Sequence, residues 1–180
     1  MAAWFQGLYP QGSQPPVLVG GAAVELYTRG AYTTGDLDFV GRVTPAVARA
    51  LRASGFERRG RHWVHQPAEV FLELPAERLE PAAKPVRLEV GTSTVLAAAP
   101  EALLADRLAA WKFWRSTVDA ANALRLLQSV GEGMNRRLAA RLARALEVED
   151  ERRRLVRLAR RLAGRPPTSE EFTRWLSAGR

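Results

Sequence analysis

Short apolar runs, each bounded by glycine or proline, divide the first hundred residues into strands and helices. Residues 17–19 (VLV) predict a strand, which two glycines separate from a two-turn helix at 22–29. We expect Gly30 to end this helix, because glycine tolerates a positive φ. The acidic and apolar residues of 36–40 (DLDFV) alternate, as they do in a strand with one buried face.

The next segments continue the alternation of helix and strand. Thr44 and Pro45 suit the start of a helix that Gly55 closes. A hairpin is predicted around Gly60, and we expect Pro75 to end the strand that follows it. The hairpin consists of 56–61 and 62–65, and further strands are predicted at 69–74, 86–90 and 94–97.

Helical spacing dominates the chain after residue 98. Pro100 suits the start of a long helix, in which Leu103, Leu104, Leu108 and Trp111 recur at helical spacing. An arginine-rich pair of helices is predicted at 136–165, with residues 148–151 separating its two halves. Thr168 caps a last short helix, and Glu171 completes a capping box.

These elements predict an α+β fold with two parts. Residues 1–98 are expected to form a small mixed β-sheet with helices on one side. Residues 99–180 are expected to form a C-terminal helical bundle packed on that core. A length of 180 residues suits one domain with such an extension.

Composition narrows the classes of site and partner. The chain has no cysteine, so disulfides and thiolate metal sites are excluded. His62 and His65 lack a third partner in the sequence, which argues against zinc. No apolar run reaches the length of a membrane span and no signal peptide is recognisable, so we expect a cytoplasmic protein without a membrane partner. The net charge of +8 favours an anionic partner.

The chemistry-bearing residues cluster at 17–40. Asp36 and Asp38 lie two residues apart on a predicted strand and therefore share a face, where paired carboxylates suit Mg²⁺. Gly20 and Gly21 lie where a strand passes into a helix, so that backbone N–H groups can face a phosphate. Each feature alone is common: glycine pairs often follow strands, and such acidic pairs often only solvate a sheet edge.

The combination resembles the signature of the DNA polymerase β-type nucleotidyltransferase superfamily, in which a Gly-Gly or Gly-Ser turn precedes an Asp-x-Asp strand. It is most similar to minimal nucleotidyltransferases related to abortive-infection (AbiE-type) toxins. The match includes Thr34 ahead of the two aspartates, whereas Tyr32 stands where toxin-like members usually carry Arg. The resemblance spans about residues 17–130 and implies a nucleotidyltransferase-like fold.

The resemblance also implies a third carboxylate on a strand beside the Asp-x-Asp strand. Glu73, flanked by leucines in 72–74, fits that pattern best, and Glu69 and Glu89 are its rivals. Asp36, Asp38 and Glu73 would then be the catalytic residues and would hold Mg²⁺, or Mn²⁺ in its place. The alternative is that Glu73 only faces water on a half-exposed sheet.

Residues 100–127 resemble the "P-E-x-L-L-x-x-(Lys/Arg)-L-x-A" helix of the same minimal transferases. On this match Arg107 takes the basic position and becomes a candidate for binding the triphosphate, with Lys112 as a second candidate. Asp119 takes the later acidic position. Together with Gly20, Gly21 and Thr34, Arg107 and Lys112 complete the predicted nucleotide site.

The resemblance implies a Mg²⁺-dependent nucleotidyltransferase that moves a nucleoside monophosphate from a triphosphate to a hydroxyl of RNA, such as tRNA, or of protein, in a toxin–antitoxin setting. The arginines of 136–165 are a candidate RNA surface. The alternative is a non-catalytic protein of this fold that binds nucleotide, RNA or a protein partner. For either function, the sequence leaves open a protein partner or a homo-oligomer. A purely structural RNA-binding protein would leave the Asp-x-Asp pattern unexplained.

Overall fold

The chain folds into two compact units, of which the first is mixed α/β and the second is helical. The structure is a computed structural model, and it describes residues 1–30, 34–79 and 83–177. The first unit is Met1–Ala99 and the second is Pro100–Arg180. In the described residues, the first unit contains one seven-stranded mixed sheet and three α-helices, and the second contains five α-helices.

The sheet of the first unit contains both parallel and antiparallel strand pairs. Its strand order is β3-β4-β5-β2-β1-β7-β6, where β2 pairs in parallel with β5, and β1 in parallel with β7. The other neighbours are antiparallel. The strands are β1 Val17–Val19, β2 Asp36–Val40, β3 Glu57–Arg59, β4 His62–His65, β5 Val70–Ala76, β6 Val86–Val90 and β7 Ser93–Ala97. The predicted hairpins and strands at these positions are thus confirmed, apart from the end of β5.

Strand β5 continues two residues beyond its predicted end. Pro75 lies inside the strand, although proline has no N–H group to donate to a ladder. The partner strand β4 pairs only with residues 70–73, so no β4 residue needs a hydrogen bond from position 75. On the other side, the register with β2 shifts between Asp38 and Val40, a local irregularity of the kind that accommodates proline.

The three helices of the first unit are α1 Ala2–Gly7, α2 Gly20–Tyr27 and α3 Pro45–Ala53. Helix α3 begins as predicted, since the Thr44 side chain accepts a hydrogen bond from the Val47 N–H. Helix α2 begins at Gly20 rather than at residue 22, because no separate turn follows β1. Its end differs as well: Arg29 is the first left-handed residue, with φ of 52°, and Gly30 follows with φ of 80°.

A buried glutamine joins helix α1 to the sheet. The Gln6 side-chain amide donates to the Pro16 and Leu96 carbonyl oxygens at 2.8 and 2.7 Å. Its carbonyl oxygen accepts from the Leu96 N–H at 2.8 Å. Gln6 therefore satisfies both the N–H and the carbonyl group of Leu96 in β7. Leu96 is adjacent to Ala97, which pairs with Leu18 where β7 joins β1.

The second unit consists of α4 Pro100–Trp114, α5 Thr117–Val130, α6 Arg136–Ala145, α7 Glu149–Leu162 and α8 Ser169–Ser177. Side chains of Ser116 and Asn135 cap α5 and α6. Thr168 and Glu171 form the predicted capping box. The acidic residues at 149–151 were expected between the two arginine-rich helices, yet they form the first turn of α7. That position is favourable, because negative charge stabilises the N-terminal end of the helix dipole.

The structure supports the mixed α/β class, while the finer nucleotidyltransferase-like arrangement remains a prediction. Among the residues that are described, none of the helices combines the length and the apolar character needed to cross a membrane.

Candidate functional site

Strands β2 and β5 bring three carboxylates to one face of the sheet. Asp38 lies in register with Glu73, and Asp36 with Phe71. Because alternate residues of a strand share a face, Asp36, Asp38 and Glu73 all project from the same side. The neighbouring residues of each strand point the other way, and two of them, Phe39 and Leu72, are fully buried. The strand alternation inferred from the sequence therefore holds on both strands.

The two rival carboxylates lie elsewhere. Glu69 precedes β5 and adopts a left-handed backbone conformation, with φ of 50°, at the end of the short 3-10 helix Gln66–Ala68. Glu89 lies on β6, which β7 and β1 separate from β2. Its carboxylate accepts a hydrogen bond from the Thr94 hydroxyl at 3.2 Å. Of the three candidates, Glu73 is the one whose strand position adjoins Asp38.

Two basic residues of the β3–β4 hairpin contact Glu73. Arg61 Nε lies 2.9 Å from one Glu73 oxygen, and His62 Nδ1 lies 3.5 Å from the other. Only 15% of the Glu73 side chain is exposed, whereas 76% of the Arg61 side chain is exposed. Sequence reasoning missed both contacts. The available signal was the hairpin itself, since its register opposite β5 sets His62 directly across from Glu73.

Gly20 packs against the Asp38 side chain. Its φ is +65°, and a Cβ atom built on it would overlap the Asp38 carboxylate and lie 3.2 Å from the Asp38 Cβ and Cγ atoms. This position therefore disfavours a side chain, both by backbone conformation and by space. The predicted glycine pair and the predicted acidic strand are thus in direct contact. The N-cap residue of α2, Val19, makes no side-chain hydrogen bond to the helix N-terminus that Gly20 and Gly21 form.

Thr34 is placed differently from the carboxylates. Its hydroxyl accepts a hydrogen bond from the Asp36 N–H at 3.3 Å, and its own N–H donates to Glu25 at 3.1 Å. It borders a cavity of about 470 Å³ whose lining includes Leu37 and Val70, from the sheet face opposite Asp36 and Asp38. Tyr32 lies outside the described residues.

The donor types at the carboxylate face suit Mg²⁺ or Mn²⁺, which prefer oxygen ligands. Asp36, Asp38 and Glu73 are the residues that could hold such an ion. In the described ranges, however, no three His, Cys, Asp or Glu side chains are arranged as a group that could hold a metal. Glu73 instead contacts the guanidinium of Arg61 at 2.9 Å, so Arg61 must move before Glu73 can act as a metal ligand.

Arg107 and Lys112 belong to the second unit, where both are engaged. Arg107 contacts Asp119 and Asp106 at 2.5 Å each. Burial acts to lower the Arg107 pKa, but the charges and hydrogen bonds of Asp106 and Asp119 outweigh it and raise that pKa. Lys112 Nζ donates to the Glu147 carbonyl oxygen and lies 3.6 Å from a Glu151 oxygen. These contacts give both residues a structural role within their own unit.

Most arginines of 136–165 fall into two groups; Arg154, which donates a hydrogen bond to the Trp175 carbonyl oxygen, belongs to neither. Some are paired: Arg152 and Arg153 contact Glu149, and Arg165 contacts Glu171. Others are exposed and form no ion pair within the described part of the chain; these are Arg136, Arg137, Arg141, Arg144, Arg157, Arg160 and Arg161. The second group is the one available to an anionic partner.

Comparisons with protein-family models, with curated proteins and with solved structures found no match to this chain. The resemblance to nucleotidyltransferases thus rests on the residues themselves.

Proposed function

We propose that the protein is a nucleotidyltransferase whose carboxylate face, formed by Asp36, Asp38 and Glu73, carries the chemistry. The observation behind the proposal is the register of β2 and β5, which sets Glu73 beside Asp38 on one sheet face. The packing of Gly20 against Asp38 adds support, since it joins a helix N-terminus suited to phosphate to the same carboxylate.

In the proposed reaction, an acceptor hydroxyl of RNA or protein attacks the α-phosphorus of a nucleoside triphosphate. A bond forms between the acceptor oxygen and phosphorus, the bond to the pyrophosphate oxygen breaks, and the hydroxyl proton passes to solvent. Gly20 and Gly21 bind the phosphates through backbone N–H groups, while the three carboxylates orient the reacting centre. A divalent cation held by those carboxylates would help deprotonate the hydroxyl and stabilise the departing pyrophosphate.

The test is Asp38→Asn, which keeps the size of the side chain and removes its charge. We expect transfer of label from α-labelled triphosphates to RNA or protein to fall by at least a hundredfold. The stabilisation of the fold by Mg²⁺ should also be lost. The melting temperature without metal should be equal or higher, because Asp38 and Glu73 no longer repel each other across adjacent strands.

Glu89→Gln is the matched control, since it removes one carboxylate from a strand remote from β2. It should retain both transfer and the response to Mg²⁺. The proposal fails if the wild type transfers label from none of the four ribonucleotides, or if Asp38→Asn and Glu89→Gln behave alike.

The second candidate is a non-catalytic protein that binds nucleotide, RNA or a protein partner through the same unit. The observation that favours it is the pairing of Glu73 with Arg61 at 2.9 Å, which supplies a positive charge to the carboxylate without any metal. On this function, the wild type binds a labelled triphosphate equally well with Mg²⁺ and with excess chelator and yields no pyrophosphate. Release of pyrophosphate that depends on Mg²⁺ would exclude it.

A further inference from the structure

The second unit contains a cavity of about 710 Å³ beside α7, which neither the proposed reaction nor the carboxylate face uses. Residues from α4, α5 and α6, from the segment before α6 and from the segment after α7 complete its lining. Much of the lining is aliphatic, and three of these residues, Leu104, Met134 and Ala139, are at most 7% exposed. The other aliphatic lining residues include Leu127, Val156 and Ala159. The volume lies within the range of roughly 300–1,000 Å³ that is usual for small-molecule sites.

Arginines surround this aliphatic lining. Five of them line the cavity, against a single acidic lining residue, Glu132. Arg152 and Arg153 both pair with Glu149, but Arg136, Arg157 and Arg160 are exposed and form no ion pair with any described residue.

The lining defines the chemistry of a ligand. None of the described residues that line the cavity is aromatic, so the cavity offers no ring on which a nucleobase could stack. Aliphatic side chains instead favour a saturated hydrocarbon body. Guanidinium groups bind phosphate and carboxylate through two parallel hydrogen bonds, which favours an anionic head. A wholly apolar ligand would leave the unpaired arginines without a partner.

We propose that this cavity binds one molecule of a single-chain aliphatic amphiphile with a phosphate or carboxylate head group. The chain lies against the aliphatic lining between Leu104 and Val156, and the head group is held by Arg157 and Arg160. This site is independent of the proposed nucleotidyl transfer, and either can fail without the other.

Isothermal titration of the full chain with dodecyl phosphate and with dodecanoate tests the proposal and distinguishes the two head groups. Both are used below their micelle concentrations and at 0.15 M salt, where weak surface attraction is screened. We expect one bound molecule per chain for at least one of them. Octyl phosphate should bind more weakly than dodecyl phosphate, by about fourfold for each methylene no longer buried, equivalent to ~0.8 kcal/mol.

Matched pairs of variants locate the head group. Arg157→Gln with Arg160→Gln should weaken binding at least tenfold. Arg141→Gln with Arg144→Gln removes the same charge from exposed positions of α6 outside the cavity, and should change affinity by less than twofold. Ala159→Phe should fill part of the cavity and abolish binding of the long chain. Because that variant could fail to fold, amide shifts of the wild type give a second measurement: perturbations should centre on residues 152–160.

Several results would overturn the proposal. One is the absence of saturable binding for both dodecyl ligands. Another is an equal loss of affinity in the two arginine pairs, which would indicate general attraction to a basic surface. Equal binding of inorganic phosphate and dodecyl phosphate would indicate an anion site without a chain site. Binding of single-stranded RNA that depends on Arg157 and Arg160, with no binding of either amphiphile, would identify a nucleic-acid surface instead.

Discussion

Replacing Gly20 by alanine tests the contact on which the candidate site depends. Gly20 has a φ of +65°, and an added Cβ would overlap the Asp38 carboxylate. Gly30→Ala is the matched control: its φ is +80°, but no heavy atom lies within 4 Å of an added Cβ. The two variants share the backbone cost and differ in the contact with Asp38.

The magnitude follows from these two terms. A left-handed conformation costs an L-residue roughly 1–2 kcal/mol, and both variants bear that cost. The Asp38 side chain can rotate away from the new methyl group, at about 1 kcal/mol for leaving its rotamer. We therefore expect Gly20→Ala to lower the free energy of unfolding by about 2–3 kcal/mol, and Gly30→Ala by about 1–2 kcal/mol. The difference of about 1 kcal/mol corresponds to roughly 2–4 °C in melting temperature for a chain of this size.

Urea denaturation of the single variants and of the double variant Gly20→Ala/Asp38→Ala provides the assay. Removing the carboxylate should relieve most of the overlap, so the double variant should recover about the 1 kcal/mol attributed to contact. Gly20→Ala should also lose Mg²⁺-dependent transfer, because the carboxylate has moved. Equal destabilisation by Gly20→Ala and Gly30→Ala, with no recovery in the double variant, would refute the contact between Gly20 and Asp38.

Two further predictions concern ion pairs. Arg61→Ala should raise the affinity for Mg²⁺ about two- to fivefold, because an ion pair with an exposed arginine, worth up to ~1 kcal/mol, no longer holds Glu73. Arg58→Ala, from the same hairpin, should leave the affinity for Mg²⁺ unchanged. Equal affinities of the two variants in titration calorimetry would contradict the prediction. Hydrogen bonds from Arg165, and then from the Thr168 backbone, hold the pKa of Glu171 at about 2 against an ordinary value of 4.5. The capping box should therefore contribute its full stability above about pH 4.5 and lose it as the pH falls towards 2. Glu171→Gln should remove that part of the pH dependence of unfolding. An NMR titration in which the Glu171 carboxyl has its midpoint near pH 4.5 would contradict the prediction.

Local chemistry made much of the fold predictable. Strand β2 begins and ends where its alternating residues indicated, and the hydroxyl of Thr44 caps α3 as expected. The errors arise where another part of the chain decides the outcome. Pro75 ends a strand only if a neighbour requires its missing N–H, and the length of β4 removes that requirement. The start of α7 at Glu149 reflects the helix dipole, which outweighs the tendency of an acidic run to lie in a loop.

The candidate site was predictable in its residues but not in its contacts. Strand periodicity gives the shared face of Asp36 and Asp38, and the leucines around Glu73 give its strand. Neither pattern predicts which side chains of other elements contact these carboxylates. Arg61 reaches Glu73 only because the β3–β4 hairpin pairs with β5, and the register of that pair is set by burial of Trp63 and Leu72 rather than by the basic residues themselves.

Arg61 and a divalent cation satisfy the same electrostatic requirement, and this equivalence connects the two candidate functions. Neighbouring strands lie ~4.8 Å apart, so the carboxylates of Asp38 and Glu73 repel each other unless a positive charge lies near them. Arg61 supplies that charge from a side chain that is 76% exposed and can therefore leave at little cost. A metal ion would have to displace it, so the strength of the Arg61–Glu73 pair sets how strongly the face binds metal. In a catalytic protein, the Arg61–Glu73 pair must be weak enough for cellular Mg²⁺ to displace Arg61. In a non-catalytic protein, the strength of this pair is not limited in that way.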